Sequence, residues 1–76
     1  MIDLAAIRRE TGLTQIELAA KLGVGQAQIS KIERHGDMLI GTLASYLRAL
    51  GVDAKIVVEV DERTVTYDLT ARSGTR

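Results

Sequence analysis

The sequence contains no cysteine and no proline, a single histidine and no long apolar run. Without cysteine there is neither a disulfide nor a thiolate metal site. The lone histidine, His35, cannot build a metal site by itself, so no metal and no other cofactor is expected. No stretch approaches the roughly 18 consecutive apolar residues that a membrane span requires. The N-terminus also lacks the basic-then-apolar layout of a signal peptide. The expectation is a soluble, cytoplasmic chain with no membrane partner. An excess of charge of one sign is missing too, since ten Lys and Arg offset ten Asp and Glu. Affinity for an anionic partner must therefore come from a local arrangement of charge and not from bulk attraction.

At 76 residues there is one domain and no room for a second core. Such a domain buries only about 60% of the surface its unfolded chain exposes, so it needs a supplement. With disulfides and metal excluded, association with a second copy is the expected one.

Glycine supplies the punctuation that proline does not. Gly12, Gly23, Gly36 and Gly51 each follow a stretch of helical periodicity and are candidates for the left-handed residue that ends a helix. A first helix is read over Leu4 to Thr11 with Asp3 as its N-cap. The second, Gln15 to Leu22, has the strongest local signal: Thr14 and Glu17 form a capping box, with Leu13 and Leu18 as a hydrophobic staple. A third runs from about Gln26 to Arg34. A fourth spans about Met38 to Leu50, capped by Asp37, with Leu39, Leu43, Leu47 and Leu50 on one stripe and Tyr46 near the exposed side.

Beyond Gly51 the period changes from about 3.6 to 2. Ile56, Val58 and Val60 alternate in one run, and Val65, Tyr67 and Leu69 in the next. That pattern is a β-hairpin. Aligning the apolar sets pairs Val60 with Val65, Val58 with Tyr67 and Ile56 with Leu69, which requires a turn of two residues (Glu62-Arg63) or four (Asp61 to Thr64). The organisation is thus 1–51 as a helical unit, 52–70 as a hairpin of the same domain, and 71–76 as a frayed tail.

Two short helices joined by Gly23-Val24-Gly25 have the helix-turn-helix layout, which presents the second helix to a major groove. Ala19 lies where the helices cross, Gly23 lets the chain reverse, and Leu18, Leu22, Val24, Ile29 and Ile32 plug the angle between them. The string Thr14 to Val24, followed by Gln26, Ile29, Ser30, Ile32 and Glu33, resembles the Cro/repressor-type (xenobiotic-response-element) helix-turn-helix family over roughly Ile7 to Leu50. The resemblance implies a mainly α fold, a lambda-repressor-like bundle of four helices, here followed by a C-terminal β-hairpin where the family usually continues with a fifth helix.

Carried over by position, the resemblance implies that Gln15 holds a phosphate at the start of the second helix. It implies that Gln26, Ala27, Ser30 and Lys31 face base edges, with Gln28 at the margin. Arg8 and Glu33 match a pair that forms a partly buried salt bridge in the family, which makes Arg8 structural. Gly25 departs from the Ser or Thr of many members and removes a hydroxyl that could meet phosphate. For Gln26 and Lys31 the plain alternative is solvated helix surface. Arg34 and His35 either contact phosphate or complement the helix dipole, and Arg9 and Lys21 are read as solvent-exposed.

The acidic residues show no paired spacing for acid–base chemistry, and no glycine-rich loop follows a strand, so no enzyme is expected. The hairpin is expected to be the dimerisation element, through Ile56, Val58, Val60, Val65, Tyr67 and Leu69; the other roles are a monomeric element or a surface for a different protein. The compact layout is similar to antitoxins of the HigA and HipB kind. It implies a homodimeric repressor of double-stranded DNA that autoregulates its operon, with a cognate toxin as a further partner. The alternative is a protein-binding module that neutralises a toxin, with DNA binding secondary.

Overall fold

The computed structural model describes residues 2–35 and 38–71. Four helices precede one antiparallel hairpin: α1 (Leu4–Thr11), α2 (Gln15–Leu22), α3 (Gln26–Arg34), α4 (Ile40–Leu50), β1 (Lys55–Val60) and β2 (Arg63–Asp68).

Local hydrogen bonds explain the first two helices. Asp3 caps α1 by accepting from the Ala6 amide at 3.0 Å. At α2 the capping box is closed in both directions: the Glu17 amide donates to Thr14 Oγ1 at 3.1 Å, and the Thr14 amide to Glu17 Oε1 at 2.9 Å. The same helix ends on Gly23, whose φ of 73° is left-handed. The Val24 amide reaches back to the Ala19 carbonyl at 3.0 Å and the Gly23 amide to that of Ala20 at 3.3 Å, a Schellman motif. That reversal turns the chain from α2 into α3, whose N-cap Gly25 offers no side chain.

Helix α2 packs against both α3 and α4. The core between them holds Leu4, Leu18, Ala19, Ile29, Tyr46, Leu47 and Leu50, with Leu69 from beyond the hairpin. Ala19 is 4% exposed, where a larger side chain would separate the crossing helices. Val24 departs from its expected role as a plug, since the residue is 41% exposed. Its amide does the structural work instead, by closing the end of α2.

The fourth helix differs from the reading of its sequence. It begins at Ile40, with Leu39 in extended backbone (ψ 147°) and no side-chain cap. The expected cap Asp37, and Gly36, lie outside the described residues. Leu39 is 78% exposed and has left the apolar stripe. Periodicity holds phase only inside a helix, so it cannot separate a first helical residue from the extended one before it. Tyr46, expected near the exposed side, is fully buried. It widens the stripe formed by Leu43, Leu47 and Leu50, as a core-facing helix needs a face broader than one line of residues.

The hairpin register is also corrected. Ile56 pairs with Tyr67, Val58 with Val65 and Val60 with Arg63, around a two-residue turn at Asp61-Glu62. The expected register lies two residues away. A slip of two keeps every side chain on the same face, so the alternation of apolar residues cannot choose between the two. The left-handed backbone at Asp61 (φ 55°) suits the tight turn. The shift frees Leu69 from the sheet: it is 5% exposed in the helical core, with its amide on the Ala54 carbonyl at 3.0 Å. Thr70 Oγ1 accepts from the Ala54 amide and Arg48 donates to the Leu69 carbonyl, which tethers the base of the hairpin to the helices. Above that base the strands stand clear, and every residue from Val57 to Asp68 is exposed.

Candidate nucleic-acid interface

Helix α3 separates its residues sharply. Ile29 faces inward with no exposure, and the Glu33 side chain is 5% exposed. Gln26, Ala27, Gln28, Lys31 and Arg34 lie on the outer surface, and Ser30 is half-buried. Arg34 Nη1 stands 3.4 Å from Ser30 Oγ, so Ser30 is shared between the helix surface and its neighbour one turn on.

Beneath α3 a polar cluster centred on Glu33 joins three other helices. Arg8 of α1 donates from Nε to Glu33 Oε2 at 2.7 Å and from Nη2 to Oε1 at 3.3 Å, the forked geometry of a guanidinium on a carboxylate. Its Nη1 reaches the Leu13 carbonyl at 2.9 Å, which fixes the loop before α2. Tyr46 of α4 donates its hydroxyl to Glu33 Oε2 at 2.5 Å. Gln15 of α2 donates from Nε2 to Glu33 Oε1 at 3.0 Å, and Gln26 in turn donates from Nε2 to Gln15 Oε1 at 3.2 Å. Among the described residues no buried side-chain nitrogen or oxygen lacks a partner. That completeness is what makes a low-dielectric polar cluster tolerable.

The protonation states follow from these contacts. Burial pushes the Glu33 carboxyl up, but hydrogen bonds from Arg8, Tyr46 and Gln15 outweigh it and hold the group below its ordinary value. The hydrogen bond to Glu33 raises Arg8. Burial first, and then the hydrogen bond to Glu33 and its charge, push the Tyr46 hydroxyl well up, so it remains a donor. Glu33 is an anion at neutral pH and cannot act as a donor.

An open hollow of about 390 Å³ lies beside this cluster, lined by Arg9, Thr14, Gln15, Ile16 and Gln26 among others. It brings the N-terminus of α2 and the N-terminus of α3 to one surface, where helix dipoles favour an anion. Gln15, half-buried, reaches this surface while its amide is tied inward. Among the described residues, no group of three or more His, Asp or Glu is placed to hold a metal ion, and no helix is long and apolar enough to cross a membrane.

The residues read from the hairpin divide into two sets. Val58, Val60, Val65 and Tyr67 are about half exposed or more, on one face of the sheet. Ile56, opposite Tyr67 on that same face, packs against the helical core, and Leu69 is inside it, so neither is part of the open surface. Val57, on the opposite face, is 57% exposed. Two participants escaped the sequence reading: Tyr46 as a partner of Glu33, and the inward tie of Gln15. The placement of Tyr46 one residue before Leu47 was the available signal for the first.

The sequence pattern that defines the Helix-turn-helix family matches residues 4–56. HigA3 of Mycobacterium tuberculosis (strain ATCC 25618 / H37Rv) is 46% identical over 72 residues, covering 90% of this chain and 63% of that protein. The chain spans less than two thirds of the length of the three M. tuberculosis HigA relatives that it matches. Among solved structures, one described as DNA-bound antitoxin HigA3 superposes with a TM-score of 0.78 at 40% identity, covering 87% of this chain and 88% of that one. Another, described as induced DNA bending by unique dimerization of HigA antitoxin, superposes with a TM-score of 0.74 at 43% identity and the same coverage.

Proposed function

From the premise that this chain belongs to the helix-turn-helix family and is related to HigA-type antitoxins, we propose that it is a repressor that binds double-stranded DNA as a homodimer on a palindromic operator. Its biological setting is an autoregulated toxin–antitoxin pair. The observation that carries this reading is the outer surface of α3, with Gln26, Ala27, Gln28 and Lys31 exposed on a helix anchored from below by the Arg8–Glu33 pair.

Position by position, Lys31 and Gln26 reach base acceptors and donors, the Ala27 methyl meets thymine, and Gln28 and Ser30 lie at the edge of the contact. Gln15 and Arg34 take phosphates on either side, Gln15 with the help of its helix terminus. With no net charge, one copy lacks bulk attraction for DNA. Two copies double the contacts, with recognition helices about 34 Å apart. The hairpin supports that pairing: an isolated two-stranded sheet is marginal in water, and this one leaves Val58, Val60, Val65 and Tyr67 open on one face. The chain then divides into a DNA-binding unit over 1–51 and a dimerisation element over 52–70. The same apolar surface favours a second reading, a toxin-neutralising module in which DNA is secondary.

Selection from a pool of synthetic duplexes with a randomised stretch, followed by fluorescence anisotropy, tests the reading. The expected result is enrichment of a palindrome, lost in Gln26→Ala and Lys31→Ala. Light scattering on the full chain is expected to give a dimer, and Val65→Lys a monomer. A chain that prefers no duplex over random sequence at physiological salt overturns the repressor reading and leaves the toxin-binding one.

A further inference from the structure

The outward-facing amide of Gln26 is the end of a hydrogen-bond relay that starts on a buried carboxylate. Glu33 Oε1 accepts from Gln15 Nε2 at 3.0 Å, and Gln15 Oε1 accepts from Gln26 Nε2 at 3.2 Å. A side-chain amide can usually turn either way, because it carries a donor at one end and an acceptor at the other. Here the first link removes that freedom. The ionised carboxylate accepts and cannot donate, so Gln15 must turn its NH2 inward and its carbonyl outward. The outward carbonyl of Gln15 can then only accept, so Gln26 must turn its own NH2 toward it. What remains of Gln26 for a partner is one N–H beside a free carbonyl oxygen; neither makes a hydrogen bond among the described residues.

A carbonyl beside an N–H is the complement of adenine in the major groove, whose N6 donates and whose N7 accepts. Guanine presents two acceptors, O6 and N7, and meets the Gln26 carbonyl with a repulsive oxygen. We propose that Glu33, acting through Gln15, sets the direction of the Gln26 amide and so makes this protein select adenine over guanine at the base pair that Gln26 meets. Glu33 and Gln15 are positioning residues in this scheme. It rests on the reading that Gln26 faces a base.

Replacing the anion by an isosteric amide has a specific consequence. Glu33 Oε2 receives the two shortest bonds of the cluster, from Tyr46 at 2.5 Å and Arg8 Nε at 2.7 Å. In Glu33→Gln those two donors keep the amide oxygen at that position; the NH2 then faces Gln15, and the longer 3.3 Å bond from Arg8 Nη2 to Oε1 is given up. Gln15 must then reverse, and Gln26 reverses with it. Gln26 turns its carbonyl inward and presents N–H groups outward, the complement of guanine. Tyr46→Phe differs: it removes one donor but leaves the carboxylate charged, so the relay keeps its direction.

The test uses the full chain and four duplexes taken from the randomised selection, identical except at the base pair where Gln26→Ala abolishes the preference. Affinities are read by anisotropy at one salt concentration, and folding of each variant by circular dichroism. The expected result is that the protein favours adenine by about 10-fold or more, that Glu33→Gln reduces this below about 3-fold or inverts it toward guanine, and that Tyr46→Phe keeps it. Gln15→Leu, which cuts the relay in its exposed half, is expected to relax the preference in the same way and decides the matter if Glu33→Gln does not fold. Folded Glu33→Gln and Gln15→Leu proteins that bind all four duplexes more weakly by a common factor, with the adenine preference intact, overturn the proposal and leave these residues a supporting role only. If Gln26→Ala changes no base preference, the reading that Gln26 faces a base fails, and the relay loses its output with it.

Discussion

The Tyr46 hydroxyl lies 2.5 Å from Glu33 Oε2 and 3.2 Å from the Leu4 carbonyl, so one phenol ties α4 to α3 and to the first residue of α1. It has a single proton and two acceptors before it; the charged and nearer one takes the proton. Removing that hydroxyl leaves a buried carboxylate one donor short. Tyr46→Phe is therefore expected to cost about 1.5–3 kcal/mol. For a domain this small that lowers the melting temperature by roughly 4–8 °C per kcal/mol, measurable by thermal denaturation followed by circular dichroism.

Acid should act through the same carboxylate. The folded state holds Glu33 below its ordinary value of 4.5, because Arg8, Tyr46 and Gln15 together outweigh the effect of burial. A lowered folded pKa means that the charged form favours folding: the contribution is complete above the ordinary glutamate range and is lost as pH falls through the lowered value. Other carboxylates also titrate there, so the informative quantity is the stability difference between the native chain and Glu33→Gln. That difference is expected to be largest above about pH 5 and to shrink on acidification, read from urea melts at a series of pH values. A difference that stays constant down to pH 3 contradicts it.

The two apolar sets of the hairpin should respond differently. Leu69 is 5% exposed inside the core, and Leu69→Ala is expected to destabilise the chain by about 2–5 kcal/mol through the cavity it leaves. Val65 is 59% exposed within its own chain, so Val65→Ala removes little intramolecular packing. If the proposed dimer forms through this face, its effect on stability should appear only as a dependence of the melting temperature on protein concentration.

The glycines of the turn between α2 and α3 provide a matched pair. Gly23 has a φ of 73° and open space where a Cβ would stand, so Gly23→Ala carries the backbone penalty alone, about 1–2 kcal/mol. Gly25 has an ordinary φ of −82° and equally open space. Gly25→Ser supplies the missing N-cap hydroxyl and is expected to gain a few tenths of a kcal/mol. Chemical denaturation of both variants checks the opposite signs.

Much of this architecture is written locally. The bounds of α1 and α2 follow from Asp3, from the Thr14–Glu17 box and from Gly12 and Gly23, because each of these features acts on amides and carbonyls within a few residues of itself. Composition and pattern also sufficed to identify the helix-turn-helix and the presence of a hairpin. The pairing of Arg8 with Glu33 was legible only by resemblance, since 25 residues separate them and no local rule connects them.

Three-dimensional packing settled the remainder. Whether the tyrosine of α4 faced water or core depended on a carboxylate 13 residues earlier that accepts its proton. The register depended on the turn at Asp61 and on the space in the core that takes Leu69, because shifts of two residues are equivalent in any pattern of period 2. The start of α4 depended on where the chain could leave extended backbone, and Leu39 lost its place in the stripe as a result. The orientation of the outward glutamine came last, through two hydrogen bonds from a charge that the sequence spaces seven residues from it along the same helix. Local chemistry specifies helix ends because its partners are neighbours in the chain; buried polar partners and strand registers are chosen by neighbours in space.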